Sequence, residues 1–154
     1  MIVSSRHKRM SLRTRVVRRI ADVDREAWNR VFPATLEGYD LFKALDESGF
    51  EQFSFYYILV YAGQELVGGT VCFLMDYSLD TSISGPLRRV SNAIKRINPN
   101  IFSLKAVICG LPMAQGRIGA VRDPATVTRV IVRRMEQIAR KERAAVIAFK
   151  DFDR

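Results

Sequence analysis

The stretch CGLPMAQGRIGAVRDPATV, residues 109–127, places Gly116, Arg117, Gly119 and Arg122 immediately before the pair Asp123-Pro124. Backbone N–H groups in a glycine-containing loop, followed by the positive end of a helix, favour an anion such as phosphate. The same residues also suit a long connection that merely contains glycine. The span from Leu111 to Arg122 is longer than a compact cradle needs. Both readings stay open at this stage.

Other residue types that do chemistry are sparse. The one histidine, His7, lies near the start, so the body of the chain offers no histidine base or triad. Cys72 and Cys109 are far apart in sequence, and with no further histidine a zinc site is not expected. Each cysteine sits in an apolar, strand-like run, where buried free thiols are the usual outcome; a disulfide between them stays open. Cys109 is a candidate nucleophile, but burial is expected to raise its pKa. Asp76 and Asp80 could take a proton from an amine or form a solvated loop pair. Lys150-Asp151 could face a cleft or form a surface ion pair. The basic residues Arg88, Arg89, Lys95 and Arg96 could touch anionic lipid or RNA, or form a solvated helix face.

The elements that must position these residues follow from local pattern. RTRVVRRI, residues 13–20, alternates weakly and reads as a first strand. Asp24 caps a short helix that stops at Pro33, and Tyr39 to Ser48 forms a second helix ended by Gly49. FSFYYILVYAGQELVGGTVCFLMDY reads as an antiparallel hairpin about Ala62-Gly63-Gln64-Glu65. Gly68 and Gly69 within its second arm predict a bulge or a close backbone approach. Gly85-Pro86 opens an amphipathic helix with Leu87, Val90, Ala93, Ile94 and Ile97 on one face, ended by Asn98-Pro99. SLKAVICG is a further strand. Asp123-Pro124 starts a helix running to about Arg143, and AAVIAFKDF is a last strand. The order is a mixed α+β pattern around a central sheet.

The composition, 48% hydrophobic and 27% charged over 154 residues, is that of one ordinary globular domain. No apolar run approaches the roughly 18 residues of a membrane span, and the start lacks the features of a secretory signal. The two cysteines suggest a reducing compartment, so a cytoplasmic location is expected. Of the net charge of +9, seven positive charges precede the first acid, Asp22, leaving +2 for the remainder. Residues 1–11 read as a flexible basic tail, and 12–154 as a single domain.

The order of elements, with the hairpin FYYILVYAGQELVGGTVCFL and the strand–loop–helix–strand from SLKAVICG to AVIAFKDF, resembles the GNAT acyltransferase fold. More narrowly, it is similar to the Fem-type and peptidoglycan biosynthesis/recognition group of acyltransferases. The resemblance covers roughly residues 13–152. It implies a GNAT-like mixed central sheet with helices on both faces, and acyl-coenzyme A as cofactor without a metal. By the same resemblance Gln115, Gly116, Arg117, Gly119 and Ala120 would meet the coenzyme A pyrophosphate. The family signature runs Gln or Arg, two residues, Gly, one residue, Gly or Ala; here Ile118 stands at the first glycine position. A full fold of that kind continues with another helix and two strands, which implies that the C-terminal, acceptor-closing part is missing here.

Two functions follow as expectations. One is an N-acyltransferase, or a module of one, moving an acyl or aminoacyl group from a thioester or tRNA carrier to an amine. The other is a non-catalytic module binding a protein partner or a polyanion such as RNA through the basic arm and helical insert. The apolar final strand, with an uncovered edge, adds the expectation of a homodimer.

Overall fold

A computed structural model describes residues 11–33, 38–49, 53–78, 103–112 and 116–150 of the chain. Gln115, Asp80, Asp151, residues 1–10 of the expected tail and the whole expected helix of 85–97 lie outside the described residues.

The hairpin is built by β2 (Ser54–Ala62) and β3 (Glu65–Ser78), both rich in β-branched and aromatic residues. Ala62 pairs with Glu65, so Gly63 and Gln64 alone make the turn, and Gly63 takes the left-handed φ of 62° that a two-residue turn asks of its first residue. The register shifts between Val60 and Tyr61, which leaves Val67 as the extra residue of a bulge beside Gly68. β1 (Leu12–Val17) pairs antiparallel with β2. β4 (Ser103–Cys109) pairs antiparallel with the far half of β3, and the short β5 (Ile118–Ala120) with its near half. β6 (Val146–Phe149) lies parallel to β4, giving the order β1-β2-β3-β4-β6. The strands read from SLKAVICG and AAVIAFKDF are thus adjacent in the sheet.

Helices cover both faces. α1 (Arg25–Val31) starts where the Asp24 carboxylate accepts the Ala27 N–H at 2.7 Å. α2 (Tyr39–Glu47) follows, and Gly49 ends its run with a φ of 67°. Together they bury Trp28, Val31, Phe32 and Phe42 against Phe55, Tyr57, Leu59, Val71 and Phe73. α3 (Pro124–Glu142) lies on the other face, setting Val127, Ile131, Met135 and Ile138 on Tyr56, Ile58, Val60, Cys72, Val107 and Cys109. Each fully buried Leu-sized side chain contributes about 1.5–3 kcal/mol of transfer energy. The near-continuous apolar run of β2 follows, because both of its faces are covered.

Glycines set how closely the helices approach. A Cβ on Gly68 would stand 2.4 Å from Val127 Cγ1 of α3, and one on Gly119 would stand 2.8 Å from the Val31 carbonyl of α1. Arg13, Arg15, Arg18 and Arg19 sit on β1 and the turn after it, so four of the seven early positive charges belong to the folded body. The charge is not confined to an arm. Among the described residues no helix is long and apolar enough to cross a membrane.

Candidate functional site

β4 runs beside β3 as far as Cys72 opposite Cys109. Gly110, with a φ of 122°, donates its N–H to the Val71 carbonyl at 2.9 Å and turns the chain outward. The chain rejoins β3 one residue further along, where Ile118 stands opposite Thr70. Pro112 and Gly116 both meet the end of the parallel pair: the Gly116 N–H donates to Lys150 O at 2.8 Å, and Lys150 Nζ donates to Pro112 O at 2.7 Å.

The sequence-expected residues take distinct places on this path. Gly116 is buried, with its N–H committed to Lys150. Arg117 exposes its side chain, while its carbonyl accepts the Thr70 hydroxyl at 2.7 Å. Gly119 and Ala120 are strand residues of β5, opposite Gly69 and Gly68. Gly119 serves close packing on α1, as its missing Cβ shows. Arg122 is exposed and pairs with Glu65 at 3.1 Å. Asp123, at a φ of 42°, accepts the Thr126 N–H at 3.1 Å, and its carbonyl accepts the Val127 N–H at 3.0 Å. Pro124 has no N–H. The carboxylate of Asp123 already complements the helix dipole, so an incoming anion meets a first turn whose donors are largely engaged.

Beside this helix start lies an open hollow of about 590 Å³, lined by Ser11, Arg13, Gly63, Gln64, Glu65 and Arg122. Arg13 also stacks over Tyr61, 5.5 Å from its ring centre. The hollow gathers two guanidinium groups and one carboxylate at the hairpin turn. Pattern reading did not find it, because β1 meets the turn only through the register of Leu12 with Ala62.

The other chemical candidates are separated from the loop or from each other. Asp76 is exposed on β3, opposite Lys105. Among the described residues no three potential metal ligands gather. The two cysteines, distant in sequence, are direct cross-strand neighbours and are free thiols. Both are fully buried under α3. Cys109 Sγ lies 3.1 Å from Thr70 Oγ1. The single Thr70 proton goes to the Arg117 carbonyl, so the Cys109 thiol donates to Thr70. The neighbouring Cys72 thiol lowers the Cys109 pKa against the effect of burial; the same pairing, with burial, holds Cys72 well above the ordinary thiol range. The expected upward shift thus falls on Cys72 and not on Cys109.

No family model matches the chain, and neither a curated protein nor a solved structure matches it.

Proposed function

We propose that the chain is a GNAT-like acyltransferase module, moving an acyl or aminoacyl group from a thioester or tRNA carrier to an amine. One observation carries the reading: four antiparallel strands lead into a crossover through α3 to β6, parallel to β4, with Pro112 and Gly116 bonded to Lys150 at the end of that pair. A carrier's pyrophosphate would lie along residues 116–126, held by the guanidinium groups of Arg117 and Arg122. Side chains must contribute more than backbone amides, because the Gly116 and Thr126 N–H groups are engaged. The amine would attack the thioester or ester carbonyl directly, with a carboxylate or water taking its proton. Calorimetric titration of coenzyme A against wild type, Arg117→Ala and Arg122→Ala tests the reading. Each substitution is expected to weaken binding several-fold, and three equal affinities would remove this loop from the site. Gly119→Val is a poor probe, since it would collide with α1 whatever the ligand.

A second reading draws on those engaged donors and on the arginines of β1: a non-catalytic module that binds a polyanion. Its mark is RNA binding that weakens steeply with salt and is unaccompanied by thioester cleavage.

A further inference from the structure

The two thiols occupy a geometry that admits a covalent bond. Cys72 and Cys109 are directly opposed on antiparallel strands. The next pair along, Val71 and Gly110, is joined by the Gly110 N–H at 2.9 Å. The Cys109 carbonyl points the other way and accepts the Lys150 N–H at 3.2 Å from the β6 side. Hydrogen-bonded and non-hydrogen-bonded pairs alternate along an antiparallel ladder, so the two cysteines form a non-hydrogen-bonded pair. Such pairs bring Cα atoms to about 4.5 Å and hold side chains closest, within the Cα range of about 4.4–6.8 Å found for disulfides. Both side chains leave the sheet on the α3 face.

We propose that Cys72 and Cys109 are a redox pair that closes reversibly into a cross-strand disulfide in response to hydrogen peroxide. The inference rests on sheet register and is independent of the acyltransferase reading. Cys109 is the attacking thiol, because it lies on β4 opposite Phe149 of β6, the strand on the outer edge of β4. Its thiolate attacks one peroxide oxygen; the S–O bond forms, the O–O bond breaks, and the departing hydroxide takes the thiol proton to become water. The Cys72 sulfur then attacks the Cys109 sulfur. The S–S bond forms, the S–O bond breaks, and the second hydroxide leaves as water with the Cys72 proton. The two sulfurs give up two electrons in all and peroxide accepts them.

Full burial selects a small, uncharged oxidant, and the place to admit it is close by. β6, which covers the outer edge of β4, is four residues long and has Val146 and Phe149 exposed, 38% and 44%. Short edge strands with little cover open locally at low cost. Closure also reaches the candidate loop. Cys109 now donates to Thr70, whose hydroxyl holds the Arg117 carbonyl, and a disulfide removes that proton from the chain of hydrogen bonds.

The test is intact-mass measurement and non-reducing peptide mapping of the folded wild-type protein after hydrogen peroxide. The expected product is a monomer lighter by two hydrogens, with the peptides of Cys72 and Cys109 linked, and dithiothreitol restores both thiols. Two unreacted thiols, oxygen added without linkage, or a disulfide-linked dimer would each overturn the proposal. In Cys72→Ala, peroxide is expected to add oxygen to Cys109; an inert Cys109 in the folded variant would overturn its assignment as the attacking thiol. The wild-type mass remains decisive if that variant does not fold.

Discussion

Under α1 and α2 the sheet is packed mainly with rings, whereas under α3 it is packed mainly with aliphatic side chains and thiols, beside Tyr56. On the first face Trp28 meets Phe32, Phe42 and Tyr57 at centroid distances of 4.6, 5.5 and 6.0 Å, two of the three edge-on. The Tyr57 hydroxyl then donates to Asp46 at 2.8 Å, and Asp46 also accepts the Ile20 N–H at 2.6 Å. Ring geometry and a half-buried carboxylate tie α1, α2 and β2 into one arrangement. On the second face Ile131 and Met135 fill space without directional contacts, and hydrogen bonds run from Cys109 through Thr70 to Arg117 beside the Cys72 thiol. The difference separates two roles. The aromatic face fixes the frame, and the α3 face carries the groups that can react and that reach the candidate loop.

The largest effect that would sharpen this contrast is Trp28→Ala, expected to cost about 3–5 kcal/mol in urea unfolding through lost burial and an unfilled cavity. Met135→Ala should cost less, about 2–3 kcal/mol, because an aliphatic wall collapses around a gap more easily than a set of interlocked rings. Equal losses at the two positions would break the contrast. Gly68→Ala is next, at about 1–3 kcal/mol, since Val127 and α3 must give way to the new methyl. Gly69→Ala should be milder, because its nearest neighbour is the Ile58 carbonyl at 3.1 Å.

Tyr57→Phe is the smallest, about 1.5 kcal/mol, for one hydrogen bond to a carboxylate that keeps the Ile20 N–H. It also carries a pH signature. Burial first, and then the hydrogen bond to Asp46, hold the Tyr57 hydroxyl far above its ordinary 10.0. Its contribution is therefore complete below pH 10 and is lost as pH rises above that value, where only the unfolded chain readily gives up the proton. Wild type should lose stability between pH 10 and 11 faster than Tyr57→Phe does. Parallel curves would remove Tyr57 as the cause.

Local signals made much of the frame legible in the sequence. Asp24 and Asp123-Pro124 announce helix starts within four residues, and the β-branched runs about Gly63-Gln64 announce the hairpin. The reading of Gly68 and Gly69 was met twice over, by a bulge and by close approach. What escaped was set by pairing across long separations. Gly119 looks like a loop glycine until β5 is known to pair with Gly68 to Thr70, which makes it the floor beneath Val31. Cys72 and Cys109 are only an open pairing in the sequence until the register of β3 with β4 sets them face to face. Arg13 reads as the start of a first strand, but its place at the hollow beside Arg122 is not visible until β1 is paired with β2. None of these pairings has a local signature, because ladder register is decided by which faces are buried after the sheet assembles.

The proposed carrier-binding loop can be tested most directly by amide chemical-shift mapping of the folded chain as coenzyme A is added. Shifts concentrated in Gly116–Thr126, with the Arg117 and Arg122 side-chain resonances moving together with them, are the predicted result. No shifts at saturating ligand, or shifts confined to β1 and the hairpin turn with residues 116–126 unmoved, would contradict it.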